Sequence, residues 1–585
     1  MTRPPPRVSW RSRLLRHLPT VLAVTPLVVA AGRALRGHWY PVGDNAFFAL
    51  RARDVLTTHH PWLGTWTSAS LTVGTRINNP GPLLFDWLAL PAKVDVAAGT
   101  VLGVVALHVG SVLLAVYWAR RVADATGAWV VAAAFLALEW AMGSEILVEP
   151  WQPHSLLLPF MGFLVLVWAL VAGQPWALPW AAGVASLIVE THLSYAVLVP
   201  GLAVLGVGAL VASTARTSGW ARTWELLRRP VVVGLAVLAL AWVQPGIDQV
   251  AGEQNLGTVL THGAGGTELA GAGFAARVVS SVGAVPGGWG PGGFEGLDVY
   301  LRPGPTGHEQ GSFPGLASEQ AAVLWGMAAI GVIGLAVLLT QRRQDRAWGS
   351  ALVVAVTALV LTFASVALLP VSRVLGVAAH QLRPVWPVVI FTTVVTVAAL
   401  DRALRSVERI LPVAAVALLI VAVPAHNPRT GPSADAWSIP IVRDLIGQLD
   451  GLDGTTGVVD VDLSVIRFAE PYSTPVLLDL QRRGVEFVVD PVSAAQYGLS
   501  RAHRDDEPVS LRLRVVDGDA ALDPAPGWTR LAFVAGLDPP EQEELDALDD
   551  RVASGRALTV GEDARQRELT HRRFFESAAV LVRPA

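Results

Sequence analysis

The chain is 585 residues long, 52% hydrophobic and only 16% charged, with a mean hydropathy of +0.47. A soluble globular protein carries about 25% charged residues, so a wholly water-soluble chain is excluded. The net charge of −3 conceals an asymmetry: residues 425–585 hold 27 acidic against 17 basic side chains, a balance of −10, leaving +7 on the remainder. Phosphates would repel so acidic a tail, which speaks against nucleic acid as a partner. The absence of cysteine rules out disulfides and thiolate metal sites.

The arginine-rich N-terminus, with Arg3, Arg7, Arg11, Arg13 and Arg16, leads into an apolar stretch from about Pro19 to Ala31. A signal peptide begins in the same way, but no small-x-small cleavage site follows, and this reads as a retained first span. Further apolar segments fall near 97–118, 127–143, 155–172, 176–189, 194–214, 230–245, 320–340, 349–369, 385–400 and 409–424. Each approaches the roughly 17–25 residues that cross a bilayer, so about 11 spans are expected. Arginines concentrate at Arg120-Arg121, Arg216 to Arg229, Arg342 to Arg346 and Arg402 to Arg409. With the N-terminus cytoplasmic, all four places fall on the cytoplasmic side, as the positive-inside rule requires.

The expected organisation is therefore a multi-pass, all-α plasma-membrane domain over 1–424, with large outer loops at 36–96 and 246–319. A small extracytoplasmic α/β domain follows over 425–585. The Gly/Pro-rich VGAVPGGWGPGGF within the second loop reads as a lid-like connection. In the tail, TTGVVDVDL and VEFVVD read as strands around a helical PVLLDLQRRG, and EQEELDALDDRVASG reads as an exposed helix.

The first outer loop begins Tyr40-Pro-Val-Gly-Asp-Asn-Ala-Phe-Phe-Ala-Leu-Arg. A helix over Asn45 to Leu56 places Asp44, Phe47, Phe48 and Arg51 on one face. A carboxylate at the bilayer surface beside aromatics and an arginine can serve as a general base. The commoner use of an aspartate at a helix start is as a cap, and the residues alone leave both readings open. Farther along, Glu145, Glu149, Gln152 and His154 share one short outer loop, and Glu190 and His192 share the next. Such groups can bind acceptor hydroxyls or a divalent ion, although structural hydrogen bonding is their more frequent role. No HExxH spacing supports a metal, so no cofactor is expected. His59-His60 before Pro61-Trp62 reads as an interfacial segment.

An aspartate soon after the first span, an amphipathic outer loop and the segment Asn78-Asn79-Pro80-Gly81-Pro82-Leu83-Leu84 together resemble the GT-C superfamily of integral-membrane glycosyltransferases. The resemblance is best over residues 1–100. It implies a polyprenyl-phosphate sugar as donor, a cell-envelope glycan or lipid as acceptor, and transfer at the outer face with inversion, arabinofuranose and mannose being the expected sugars. It also implies that Asp44 is the catalytic residue. Many members carry two adjacent acids where this chain has Asp44-Asn45, a departure that leaves a single-base role intact. Loss of a phosphate needs stabilisation of developing charge, for which Arg51, Arg373, His380 and Arg383 are the candidates. Asn79, Glu149, His154, Glu190 and His192 are candidates for acceptor binding or for structural support. A flippase of lipid-linked glycans and a non-catalytic assembly scaffold are the alternatives. Transporters favour internal repeats and mid-membrane charges, and neither stands out here.

Overall fold

In the computed structural model, the described residues are 10–262, 268–284, 289, 316–371, 376–404, 410–425, 435–467, 470–504 and 508–584. They form two compact units. The first comprises 1–38, 62–84 and 100–432; the second comprises 39–61, 85–99 and 433–585.

The first unit is helical. Among the described residues, seven helices are long and apolar enough to cross a membrane, or eight if Trp220–Ala241 and Val243–Ala251, bent by 52°, form one span. This is a multi-pass membrane protein. All eleven expected apolar segments lie on helices. Two of them share Ala98–Ile146, whose 49 residues are interrupted by non-helical backbone at Ala123, Asp124 and Gly143. At about 1.5 Å per residue and about 30 Å of hydrocarbon, one unbroken helix of that length would far exceed a single crossing. Two more are short, Ala177–Thr191 with 15 residues and Ile410–Ala425 with 16.

Leu157–Val171 is the central helix, buried along its length up to Leu170. It packs against Ala177–Thr191, Leu198–Ser218, Arg346–Ala367 and Val385–Leu404. A helix apolar on every side is stable only when surrounded. Its one polar handle, the Trp168 indole N–H, donates to the Ala347 carbonyl at 3.0 Å and the Ser350 hydroxyl at 3.1 Å. The 246–319 stretch is more regular than its composition suggests, with helices Asn255–His262 and Gly271–Gly283. Most of its Gly/Pro-rich portion lies outside the described residues.

The second unit is built on a five-stranded mixed sheet: β1 (Val458–Asp462), β2 (Phe487–Val489), β3 (Val509–Asp517), β4 (Thr529–Val534) and β5 (Ala578–Pro584), in the order β2-β1-β3-β5-β4. β1 runs parallel to β2 and β3, whereas β5 runs antiparallel to β3 and β4. The helix Ser473–Arg483 supplies the crossover that parallel β1 and β2 need. The expected strand–helix–strand is present, as is the exposed helix, Pro539–Ala553.

The core of this unit is not confined to the tail. Val42, Ala46, Ala49, Leu50 and Val96 pack with Val459, Val476, Leu480, Phe487 and Leu513 in one apolar cluster. The helix Gly43–Asp54 lies on Ser473–Arg483. Nine of its twelve residues are buried, and complete burial of each large apolar side chain contributes about 1.5–3 kcal/mol. Phe48, almost wholly buried, meets Phe85 with ring centroids 5.3 Å apart. Phe47 lies 5.8 Å from the Tyr497 ring.

Candidate functional site

Asp44 occupies the first turn of Gly43–Asp54, one residue earlier than the expected helix start. The cap reading fails. Val42 is the N-cap residue, and no side chain accepts a capping hydrogen bond. Gly43 makes the entry possible. Its φ is +51°, and a Cβ there would come within 2.6 Å of Asp435 Oδ2. Asp44 makes no hydrogen bond or ion pair among the described residues. Its side chain keeps solvent contact, while protein crowded around the carboxyl raises its pKa to about 6 by desolvation. The positive end of the helix dipole would act in the opposite sense, and burial prevails.

The arginines on the same helix are tied down. Arg51 Nη1 donates to Asp54 Oδ2 at 2.7 Å, to the Tyr497 carbonyl at 2.8 Å and to the His59 carbonyl at 3.4 Å. Asp54 Oδ1 accepts from Arg501 Nη2 and from Gln481 Nε2, each at 2.7 Å. Arg53 bonds Gln481 Oε1 at 3.1 Å and the Ala92 carbonyl at 3.0 Å. His59 reaches Glu486 at 2.8 Å and Ser500 at 3.0 Å, a fastening within the unit. These bonds fix the helix that carries Asp44.

In the membrane unit, most of the other candidates converge. The turn before Leu157–Val171 carries Glu149 and His154, both 2% exposed and 2.7 Å apart. His154 Nδ1 donates to this carboxylate, which directs Nε2 away as an acceptor in the neutral ring. Trp151 stands edge-on to His154 at 4.7 Å and to His380 at 5.5 Å. His380 in turn faces His192 at 6.2 Å. The Ser194 N–H donates to His192 Nδ1 at 3.2 Å, so the His192 proton resides on Nε2. Burial lowers the His192 pKa to about 4, keeping the ring neutral. Arg383 is 1% exposed and lies 5.7 Å from the centre of the Trp386 ring. Arg373 lies outside the described residues.

Asn79 and Glu190 support this cluster. Asn79 Nδ2 donates to Thr65 Oγ1 at 2.6 Å, and its Oδ1 accepts from the Leu193 N–H at 2.9 Å. Gly81 N–H donates to the Glu190 carbonyl at 3.0 Å, and a Cβ on Gly81 would meet Glu190 Oε2 at 2.1 Å. Asn78 exchanges hydrogen bonds with Asn255 at 2.9 and 3.0 Å. Asn255 is held in turn by Asp248, whose carboxylate accepts from two backbone N–H groups. The Asn78–Pro82 segment is thus a brace between the 190–195 and 248–255 turns. Among the described residues, no group of three or more His, Asp or Glu is arranged to hold a metal ion.

The sequence reading missed three participants. Trp151 links two imidazoles, and Arg501 and Gln481 hold Asp54. Trp151 adjoins a polar loop, a signal available in the sequence. Nothing local distinguishes Arg501 or Gln481, which lie more than 420 residues from their partner.

No protein-family model and no curated protein matches the sequence. Among solved structures, the chain is similar to ArnT from Cupriavidus metallidurans bound to undecaprenyl phosphate, with 12% identity over 97% of each chain and a TM-score of 0.49. It is also similar to the Archaeoglobus fulgidus oligosaccharyltransferase in complex with Zn and sulfate, with 10% identity over 87% of this chain and 68% of that one and a TM-score of 0.42.

Proposed function

We propose that this protein is an inverting membrane glycosyltransferase. It moves a sugar, arabinofuranose or mannose, from a polyprenyl-phosphate donor to a cell-envelope glycan or lipid at the outer face. The observation that carries the reading is Asp44, an accessible carboxylate with no hydrogen bond or ion pair among the described residues, on a helix whose other charged residues are all engaged. The donor class rests on the sequence resemblance.

In this reaction the acceptor hydroxyl oxygen attacks the anomeric carbon from the face opposite the phosphate. The new C–O bond forms as the bond to the phosphate oxygen breaks, and the electron pair leaves with the polyprenyl phosphate. Asp44 takes the hydroxyl proton. A pKa of about 6 suits a base that must be ionised near neutrality yet still accept a proton. Phosphate is a good leaving group, so one carboxylate suffices where a glycosidase normally needs two. Arg373, His380 and Arg383 stay the candidates for the departing charge that the sequence offers, and Arg51 is left to its fastening role. Glu149, His154 and His192 are the candidates for contacts to sugar hydroxyls. The Asn79 and Glu190 contacts brace them.

The test is Asp44→Asn, which keeps size and removes basicity. In vesicles supplied with polyprenyl-phosphate arabinose or mannose and an envelope acceptor, transfer should fall by at least roughly 10²-fold at equal protein abundance. Full transfer by the variant would remove Asp44 as the base. Movement of lipid-linked glycan across the bilayer without transfer would replace the enzyme reading with a flippase.

A further inference from the structure

The membrane unit has a second feature that glycosyl transfer does not use. The start of Trp10–Arg36, the broken turn of Ala98–Ile146 and the Ile410–Ala425 helix enclose a groove of about 1060 Å³. That is about the size of the largest small-molecule sites, which reach about 1,000 Å³. Its walls are apolar, with Leu18, Trp129, Val416 and Ile420 among them, and its polar lining is Arg16, Arg120 and Asp124.

The two arginines are neighbours, because the Arg120 guanidinium donates to the Arg16 carbonyl. Neither makes an ion pair, with Asp124 or any other residue, among the described residues. Arg120 Nε is buried without a hydrogen-bond acceptor there. An unpaired polar atom in such a place is costly unless something fills it. Adjacent uncompensated cations at the mouth of an apolar slot call for an anion with a hydrocarbon tail.

We propose that this groove binds one anionic diacyl phospholipid, its phosphodiester on Arg16 and Arg120 and an acyl chain along Leu18, Trp129, Val416 and Ile420. The net charge of the lining is +1, which suits a headgroup carrying one net negative charge and gives a zwitterionic headgroup no net attraction. The phosphodiester oxygens supply the acceptor that Arg120 Nε lacks. The site is separate from the residues assigned to sugar transfer and does not depend on that assignment.

The full chain, stripped of lipid in mild detergent, is titrated with phosphatidylglycerol and separately with phosphatidylcholine, and binding is read by native mass spectrometry. One phosphatidylglycerol should bind, with phosphatidylcholine at least fivefold weaker. The double variant R16Q/R120Q should lose roughly 25-fold in affinity, about fivefold for each charge near a lipid headgroup. Val416→Trp fills the acyl slot with both arginines intact and should also weaken binding. It keeps the test open if the double variant fails to fold. Equal binding of the two lipids would overturn the proposal, as would unchanged affinity in either folded variant. Displacement of phosphatidylglycerol by equimolar polyprenyl phosphate would also overturn it, by making the groove a carrier site.

Discussion

Asp54→Ala tests whether the first-loop helix is held by charge as well as by apolar packing. Asp54 is 1% exposed in its side chain and lies between Arg51 at 9% and Arg501 at 3%. Removing the carboxylate leaves two buried guanidinium groups without their counter-charge, and breaking a buried pair in this way costs about 3–5 kcal/mol. Arg51 retains the Tyr497 and His59 carbonyls, and Arg501 stays 4.1 Å from the centre of the Phe487 ring. The expected loss is therefore at the lower limit, about 3 kcal/mol. Because the chain contains no cysteine, Ala49→Cys places a single thiol in the buried core of this unit. At about 1.4 kcal/mol per tenfold, Asp54→Ala should speed labelling of that thiol roughly 100-fold under native conditions. Arg501→Met should have a smaller effect, since Asp54 keeps Arg51 and Gln481. Labelling rates within threefold of the parent in Asp54→Ala would refute the argument.

Four further outcomes follow from the same geometry. With Asp44 as base and a pKa of about 6, sugar transfer should fall about tenfold per pH unit below 6 and level off above 7, and a profile flat down to pH 5 would exclude it. Its folded pKa is raised from 3.8, so the fold favours the protonated form. That contribution is lost as pH rises through 6, and Asp44→Asn should be no less stable than the parent at pH 8 by thermal melting. Burial also raises Glu470 from 4.5 to about 7. The second unit should therefore lose stability between pH 4.5 and 7, and Glu470→Gln should flatten that dependence. Gly43→Ala combines a φ of +51° with a Cβ only 2.6 Å from Asp435 Oδ2. It should cost more than the roughly 1–2 kcal/mol of a left-handed residue alone, whereas Gly74→Ala, with nothing within 4 Å, should cost no more than that. Comparing the two variants by thermal melting separates clash from backbone strain.

The membrane helices were legible because long apolar runs between arginine-bearing turns have few alternative structures. The tail was read only in part. β1 and β2 announce themselves as Val-rich runs beside Asp, whereas β4 lies between two helices and β5 directly follows one. β3, Val509-Ser-Leu-Arg-Leu-Arg-Val-Val-Asp, shows the alternation of a half-buried strand. Asp44 stands out in the sequence because it follows the first span and begins a helical pattern, and it does lie in the first turn of that helix. The convergence of His154, His192 and His380 was hidden, since each sits in a different short turn and only packing around the central helix brings them together. The tie from Asp54 to Arg501 spans 447 positions, and no local pattern encodes it.

The sharing of one core between residues 42–54 and the tail has a consequence for how the protein is made. Synthesis adds about 5–20 residues per second, so the Gly43–Asp54 helix leaves the ribosome roughly 20–80 seconds before Ser473–Arg483, on which it packs, exists. During that interval Ala46, Ala49 and Leu50 have no native surface to cover them, and the bilayer interface or a chaperone must shelter them. The helix bearing Asp44 is among the first parts of the chain to be made and among the last to fold. A nascent chain interrupted anywhere in the tail would therefore carry the described membrane helices and an unfinished second unit.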